Sequence, residues 1–464
     1  MKIKVFKESF ERIQADCSVV WVWDKNLEGL SDKDTLQELN FKDITFVQSS
    51  KILYVNLAKR DIDLLREGAY KAIKYLNTLS YKSVKIPTFA NEQEDYAILL
   101  GVLSGGYSFD TYKSEKKSCV IEDIYVSHVS EDLISKAQIV FESLKLTRDL
   151  INTPPCDATP SYLAEYSIQE AKNLGIECKI LSKKEIESEK MHSLLAVSRA
   201  SNQEPKVIHL SYKGANPKAK LVFVGKGLTY DSGGLSLKPS DFMVTMKADK
   251  SGGCAVLGII SAIAKLRLPL EVHGIIGAVE NMIGGNAYKP DDILSSREGK
   301  SIEVRNTDAE GRLVLIDCLS YAQDLKPDYL IDIATLTGAC VVGLGEYTFG
   351  IMGHNEELKS AFEREALQSG ELVAKLPFNS HIRKLIDSKI ADICNVSSTR
   401  YGGAISAGMF LGEFIRKENE DKWLHLDIAG PAYVEKEWDI NPYGASGAGV
   451  RACVEFAISL CEEK

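Results

Sequence analysis

Residues 221–234 read LVFVGKGLTYDSGG, an apolar run that passes directly into a glycine-rich polar segment. Four consecutive apolar residues are typical of a strand buried on both faces. Similar runs recur at 272–278, 329–334 and 423–428, and helical patterns separate them. Strands that alternate with helices predict a parallel or mixed sheet covered by helices. Ligand sites in such sheets lie beyond the carboxyl ends of the strands.

The first part of the chain also alternates strand and helix patterns. Residues 18–23 (SVVWVW) and 97–100 (AILL) predict strands, and residues 61–76 predict a helix. A long amphipathic helix follows, which Ser130 can cap and Pro154 stops. We therefore expect an α/β fold with three parts: an N-terminal α/β domain at 1–129, a connecting helix at 130–152, and a larger catalytic α/β domain with a central mixed sheet flanked by helices at 153–464.

The composition restricts the class of protein. The chain has 464 residues, 45% hydrophobic and 26% charged residues, and a formal net charge of -9. This acidic balance gives little attraction for nucleic acid, which is bound by clusters of Lys and Arg. The N-terminus lacks the apolar core of a signal peptide, and no run approaches the roughly 18 apolar residues of a membrane span. The ten cysteines form no CxxC pair. We expect reduced thiols, a cytoplasmic location, no membrane partner, and nucleic acid binding as a secondary role at most.

Three polar segments carry the candidate chemistry: VGKGLTYDSGGLSLKPS at 224–240, MKAD at 246–249 and NTDAEGRL at 306–313. Taken alone, each has a plain interpretation. The first is a glycine-rich turn without the GxxxxGK[ST] order of a phosphate loop. Asp249 alone can be the N-cap of the following helix, and the third segment can be a solvated acidic turn.

Taken together, the segments bring Asp231, Asp249, Asp308 and Glu310 to the ends of predicted strands, where they can converge on one cleft. Four carboxylates repel one another and raise one another's pKa unless cations neutralise them, and two divalent metal ions balance four such charges. Oxygen ligands suit Mn²⁺, Mg²⁺, Co²⁺ or Zn²⁺. The seven histidines lie outside the segments, so no His-ligated site is expected. We interpret His273 and His425, which lie inside predicted strands, as packed core residues.

These segments resemble the leucyl aminopeptidase (cytosol aminopeptidase) family of two-metal exopeptidases. The family's octapeptide NTDAEGRL is intact at 306–313, and the other two segments stand in register with it. The resemblance extends over about 150–464. Further matching motifs are NTPP at 152–155, ATLTGA at 334–339, YGGAI at 401–405 and HLDIAG at 425–430. One departure is Lys250, which stands where the family usually has an apolar residue. The sequence alone does not give the effect of this lysine on metal exchange.

The resemblance implies a set of metal ligands. One ion would be held by Asp231, Asp308 and Glu310, with the main-chain carbonyl of Asp308 assisting. The second ion would be held by Lys226, Asp231, Asp249 and Glu310, so that two carboxylates bridge. A lysine can ligate a metal only as the neutral amine, so the ions must depress its pKa.

The resemblance also implies catalytic and pocket residues. Lys238 and Arg312 match the family's two cationic catalytic residues. Lys238 would donate to the oxyanion, and Arg312 would hold a bicarbonate ion that acts as general base. Met246, Thr335 and Gly338 match positions that line the family's pocket for the first side chain, which favours leucine and other apolar residues.

The implied reaction is hydrolysis of the first bond of a peptide with a free N-terminus, by a hydroxide that bridges two metal ions. Mn²⁺ or Zn²⁺ is expected, with Co²⁺ and Mg²⁺ as alternatives, and the family implies a homo-hexamer. Two other functions stay open on the sequence alone. A two-metal phosphohydrolase also needs bridging carboxylates, and a secondary DNA-binding role is found in some members of the family.

Overall fold

A computed structural model gives the fold and describes residues 1–6, 10–116 and 119–462. The chain forms two compact units: Met1–Glu142 with Lys436–Tyr443, and Ser143–Glu435 with Gly444–Lys464. The division falls inside the helix Glu131–Asn152, and the expected Ser130 cap is present, because Ser130 Oγ accepts a hydrogen bond from the Leu133 N–H at 3.1 Å. The boundaries expected at 129 and 152 stay a prediction. Nothing in the sequence pattern indicates that 436–443 groups with the N-terminal unit.

The N-terminal unit is built on a six-stranded sheet. Its strands are β1 (Lys2–Phe6), β2 (Cys17–Trp23), β3 (Ile44–Val47), β4 (Ile52–Leu57), β5 (Ser83–Lys85) and β6 (Asp123–Ser127); its helices are a 3₁₀ turn (Phe10–Arg12), α1 (Lys33–Glu38), α2 (Ile62–Leu76), α3 (Glu92–Gly105) and the first part of α4 (Glu131–Asn152). The strand order is β1-β6-β5-β2-β4-β3, and all neighbours are parallel except β3 and β4. The predicted strand at 18–23 and helix at 61–76 are confirmed as β2 and α2.

The strand predicted at 97–100 is wrong, because these residues lie in α3. This helix is buried nearly all round and packs closely on α2: a Cβ at Gly101 would lie 2.2 Å from the Arg66 carbonyl oxygen. A short apolar run does not distinguish a buried helix from a buried strand. The overlooked signal is Asn91, whose side chain accepts from the Glu94 N–H and caps the helix.

The larger unit contains the predicted mixed sheet. Its strands are β7 (Glu177–Leu181), β8 (Lys206–Lys213), β9 (Lys220–Asp231), β10 (Glu271–Asn281), β11 (Ile293–Ser295), β12 (Ser301–Glu303), β13 (Tyr329–Ala334), β14 (Thr348–Met352), β15 (Leu372–Lys375), β16 (Ile393–Cys394), β17 (Trp423–Asp427), β18 (Tyr433–Val434) and β19 (Gly444–Ala445). Its helices are α5 (Pro160–Leu174), α6 (Lys183–Ser188), α7 (His192–Ser198), α8 (Ser240–Met243), α9 (Ser251–Lys265), α10 (Gly311–Gln323), α11 (Gly338–Leu344), α12 (Glu356–Gln368), α13 (Ser380–Arg383), α14 (Gly403–Gly412) and α15 (Val450–Glu462), with 3₁₀ turns at Met246–Lys250, Lys384–Ile386 and Lys417–Lys422.

Eight strands form the main sheet in the order β15-β14-β17-β13-β9-β10-β8-β7. The central strands β17, β13, β9 and β10 are parallel to one another, whereas β14, β8 and β7 each have an antiparallel neighbour. Because parallel strands end at the same edge, Asp427, Ala334, Asp231 and Asn281 mark one edge of the sheet. Polar residues at this edge can build a common site.

Strand β9 continues through the glycine-rich segment as far as Asp231. The plain interpretation of this segment, a glycine-rich turn directly after the apolar run, is therefore wrong up to residue 231. The glycines serve close packing instead. A Cβ at Gly225 would lie 2.6 Å from Gly253 Cα, and a Cβ at Gly252 would lie 1.9 Å from the Ile333 carbonyl oxygen. Helix α9 can therefore approach the sheet backbone to backbone.

Candidate metal centre

The five predicted metal ligands come from three elements near the carboxyl edge of the sheet. Lys226 and Asp231 lie on β9, Asp249 lies on the 3₁₀ turn before α9, and Asp308 and Glu310 lie on the loop before α10. Four of them are between 2% and 5% exposed, and Asp308 is partly exposed. Such burial of charged side chains requires partners of opposite charge.

The plain interpretations of two of these carboxylates are wrong. Asp249 is not the N-cap of α9, since Lys250 holds that position and makes no side-chain cap bond. Glu310 is 2% exposed and thus not part of a solvated acidic turn. The Asp308 side chain, by contrast, is 32% exposed.

Lys226 joins two of the carboxylates. Its Nζ lies 2.7 Å from Asp249 Oδ1 and 2.9 Å from Glu310 Oε1, and it donates to the Thr335 carbonyl oxygen at 2.9 Å. Burial disfavours the charged amine, but the carboxylates of Asp249 and Glu310 outweigh burial and raise the pKa of Lys226 above its usual value. The lysine nitrogen thus lies directly among predicted ligand oxygens.

Lys238 joins the other two carboxylates. Its Nζ lies 2.7 Å from Asp231 Oδ2 and also contacts Asp308 Oδ1. Burial works against the charge, yet the carboxylates of Asp231 and Glu310 raise the pKa of Lys238. The Lys238 side chain keeps 14% of its surface exposed.

The carboxylates offer more oxygen atoms than the lysines occupy. One ligand atom each of Asp231, Asp308 and Glu310 lies within 4.8 Å of the others, a spacing that can hold a metal ion. In the described part of the chain, Asp249 Oδ2 and Glu310 Oε2 are buried without a hydrogen-bond partner. Burial, followed by the charge of Asp231, raises the pKa of Glu310. Crowded, partly unsatisfied oxygen donors of this kind fit divalent cations of the hard or borderline type.

Two supporting residues, Asn281 and Tyr288, lie outside the sequence motifs. Asn281 Nδ2 donates to Asp231 Oδ1 at 2.9 Å and to the Thr307 carbonyl oxygen at 3.0 Å, and Tyr288 Oη donates to the same carbonyl at 2.6 Å. Asp427, which belongs to the motif at 425–430, accepts from the Thr337 hydroxyl at 2.8 Å. The one sequence signal for Asn281 is its position at the end of a central strand of the sheet.

Arg312 lies in the first turn of α10, two residues after Glu310. Its Nη1 donates to the Asn395 carbonyl oxygen at 2.8 Å, and its guanidinium lies 6.0 Å from the centre of the Phe410 ring. Burial lowers the pKa of Arg312 to about 10, which leaves it charged at neutral pH. Within the residues described, Arg312 Nε is buried and has no hydrogen-bond partner.

The three predicted pocket residues come from separate elements. Met246 begins the 3₁₀ turn, Thr335 follows β13, and Gly338 begins α11. Thr335 Oγ1 donates to Asp249 Oδ1 at 2.8 Å, which places it beside the candidate centre. An apolar groove of about 640 Å³ lies between α11 and the start of α14, and its lining begins at Ala339, next to Gly338.

Most of the larger unit matches a single family model, described as "Cytosol aminopeptidase family, catalytic domain", over residues 145–454. The chain belongs to the cytosol aminopeptidase family. Proteins named "Probable cytosol aminopeptidase" are similar to it throughout. The one from Helicobacter hepaticus is 60% identical over 89% of each chain, and that from Wolinella succinogenes is 52% identical over 100% of each. The similarity to the Wolinella succinogenes protein therefore includes the N-terminal unit.

A solved structure of related fold adds a metal. The "Bottromycin maturation enzyme BotP in complex with Mn" superposes with a TM-score of 0.87, at 28% identity, over 97% of this chain and 100% of that chain. The predicted α/β fold is thereby confirmed for the cytosol aminopeptidase described here. The bound Mn belongs to that relative, and it agrees with a metal-dependent family.

As a cytosol aminopeptidase, the protein is a metallo-exopeptidase that removes N-terminal residues from peptides. The predicted enzyme class and peptide substrates are confirmed, and membership of this family favours them over the phosphohydrolase alternative. The names of the relatives agree with the predicted cytoplasmic location. Over the ranges that the structure describes, no helix has the length and apolar character to cross a membrane.

Proposed function

We propose that this aminopeptidase works with two divalent metal ions held by Lys226, Asp231, Asp249, Asp308 and Glu310. The observation that supports this most is the position of Lys226 Nζ, within 2.9 Å of an oxygen of both Asp249 and Glu310. One ion would be bound by Asp231, Asp308 and Glu310, whose oxygens already converge. The other would be bound by Lys226, Asp231, Asp249 and Glu310.

The two proposed ions are Mn²⁺ or Zn²⁺. When bound, such ions polarise the scissile carbonyl and lower the pKa of a water molecule. Lys226 must be neutral to bind one of them. The charges of Asp249 and Glu310 are what hold its proton, and these charges would be neutralised by the same cations. The carboxylates and the lysine amine therefore form one titrating unit.

Lys238 is the proposed oxyanion donor. Its ammonium lies between Asp231 and Asp308 and is partly exposed, so it can turn toward a substrate carbonyl while its charge stays held. A preorganised donor at the oxygen that gains negative charge contributes about 3–4 kcal/mol to catalysis. Lys238 thus acts on substrate, whereas Lys226 is directed at metal.

Arg312 is proposed to hold a bicarbonate ion that acts as general base. A small anion fits a buried guanidinium that still has an N–H group to donate, and Arg312 Nε meets that requirement. Met246, Thr335 and Gly338 are proposed to contact the first side chain of the substrate, with a preference for leucine and other apolar residues. A homo-hexamer is the proposed assembly.

The test separates the two lysines. Chelation should abolish hydrolysis of a leucyl amide, and Mn²⁺, Co²⁺ or Zn²⁺ should restore it. Lys226→Ala should retain fewer than two ions per subunit at limiting metal and recover partly in excess metal. Lys238→Ala should retain both ions and lose about 100- to 1,000-fold in kcat.

The control variant is Lys213→Ala, since the Lys213 side chain is 71% exposed. It should match the wild type in metal content and rate. Loss of metal in Lys238→Ala but not in Lys226→Ala would reverse the two roles. Full activity of both variants, or of rigorously metal-free enzyme, would overturn the proposal.

A further inference from the structure

Lys250 is a buried lysine beside the candidate centre that the proposed mechanism does not use. It follows Asp249 directly and is 0% exposed. Placing an ammonium group in the interior costs several kcal/mol unless its surroundings compensate. An apolar residue would avoid this cost, so the presence of a charge here requires an explanation.

The surroundings of Lys250 Nζ are three main-chain carbonyl groups. It donates to the oxygens of Ile151 and Thr153, each at 3.1 Å, and to that of Lys247 at 2.7 Å. An ammonium has three N–H donors, and each one has its own acceptor here. Because Ile151 lies in the last turn of α4, its carbonyl carries the partial negative charge of a helix C-terminus.

These bonds connect the end of α4 to the short turn that carries Asp249. Thr245, the residue directly before the turn, has a φ of 76°, a left-handed conformation that a β-branched residue rarely adopts. Such a conformation persists only where neighbouring contacts enforce it. Lys247 adds a second bond of the same kind, from its Nζ to the Asn152 carbonyl oxygen at 3.1 Å.

We infer that Lys250 is a positioning residue for metal binding: its ammonium is a built-in cation that binds three carbonyls and fixes the turn so that Asp249 faces Lys226 and Glu310. The inference rests on the proposed role of Asp249 as a metal ligand. Residues that orient a ligand without touching the metal typically change metal affinity by about 10- to 100-fold when they are lost.

The test is Lys250→Met, which keeps an unbranched side chain only one atom shorter and removes the N–H donors. Titration with Mn²⁺, followed by the electron paramagnetic resonance of the free ion, should show one site as in wild type and the other about 10- to 100-fold weaker. Should this variant fail to fold, Lys250→Gln retains two N–H donors and should show a smaller loss at the same site.

The matched control is Lys359→Met. Lys359 is another buried lysine, 2% exposed, and it bonds to Glu356 on α12, away from the predicted ligands. This variant should lose thermal stability but bind both Mn²⁺ ions normally. Equal Mn²⁺ binding by Lys250→Met and wild type, or an equal loss in Lys359→Met, would overturn the inference.

Chemical rescue adds a readout that a general loss of packing would not give. In Lys250→Ala, propylammonium should restore Mn²⁺ affinity, whereas tetramethylammonium, which has no N–H donor, should not. Lack of any difference between the two amines contradicts the role assigned to Lys250. Asp249→Ala distinguishes a failure of the proposed ligand set from a failure of the role assigned to Lys250. If Asp249→Ala retains both Mn²⁺ sites, the proposed ligand set is wrong. A gain in the thermal stability of Lys250→Ala with propylammonium, but not with tetramethylammonium, would still support a cation bound by the three carbonyls.

Discussion

A buried ion pair between Asp332 and His425 lies within the main sheet. Asp332 Oδ1 is 2.5 Å from His425 Nδ1, and Asp332 Oδ2 accepts from Trp423 Nε1 at 2.8 Å. All three side chains are 0% exposed, which confirms His425 as a core residue. His273, for which the same was predicted, is only partly buried, because its side chain is 14% exposed. Burial disfavours the imidazolium, but Asp332 outweighs burial and raises the pKa of His425. The pair therefore contributes to stability chiefly while His425 is charged.

Asp332→Asn should break this pair. The amide removes the negative charge. It also places its NH₂ group, a donor, against one of the two N–H groups that Asp332 accepts from, those of His425 and Trp423. Removing one partner of a buried pair costs about 3–5 kcal/mol. For a unit of about 300 residues, the unfolding entropy of roughly 2.1 cal/mol/K per residue gives about 0.6 kcal/mol/K, so the loss corresponds to about 5–8 °C in Tm.

The deficit of Asp332→Asn should depend on pH. A histidine whose pKa is raised by folding stabilises fully below its unfolded pKa of about 6.5, and this contribution disappears as the pH rises through the folded pKa. The difference in stability between wild type and Asp332→Asn should thus be greatest near pH 6 and should narrow at higher pH.

Scanning calorimetry at several pH values measures both effects. Asp387→Asn is the control, because Asp387 pairs with Arg383 at the surface and its side chain is 59% exposed; its Tm should change by no more than about 1–2 °C. A Tm loss below about 2 °C for Asp332→Asn, or a deficit that widens as the pH rises, would refute the argument.

Three further outcomes are expected. Acetylation of a substrate's N-terminus should abolish its hydrolysis, measured by liquid chromatography of the products. Equal rates on free and acetylated peptides would indicate an endopeptidase. Asn281→Ala removes the donor to Asp231 and to the Thr307 carbonyl, so metal titration should show affinity about 10- to 100-fold weaker; unchanged affinity would contradict this. Burial and then the neighbouring His273 lower the pKa of His209 to about 4, so wild-type stability should fall as the pH drops from about 6.5 toward 4. The free energy of unfolding of His209→Gln, measured from denaturation curves, should fall less over that pH range. An identical pH dependence in wild type and variant would exclude this contribution of His209.

The parts of the fold that the sequence predicts are those in which local pattern and tertiary environment agree. The 221–224 run is uninterrupted because both faces of β9 are covered, and Ser130 caps α4 through its own hydroxyl. The helix at 97–100 was not predictable from a four-residue run, since its periodicity is hidden when every side is buried. Its cap at Asn91 lies outside the run.

The candidate site divides in the same way. Its ligands are recognisable because each belongs to a motif of fixed order, and carboxylates in such numbers need cations. Asn281, by contrast, lies 50 residues from Asp231 in the chain and meets it only because their strands pair in register. The three acceptors of Lys250 are main-chain carbonyls, which leave no trace in the amino-acid sequence. Contacts of this kind depend on backbone placement.

The close approach of α9 to the sheet limits how this chemistry can be transferred to another protein. The Ile333 carbonyl occupies the space that any side chain at residue 252 would need, and α9 begins directly after the turn that carries Asp249. An alanine at 252 would push the start of the helix outward, and Asp249 would move with it. Grafting the polar residues alone onto a new scaffold would therefore fail, because the glycines set the distance at which those residues meet.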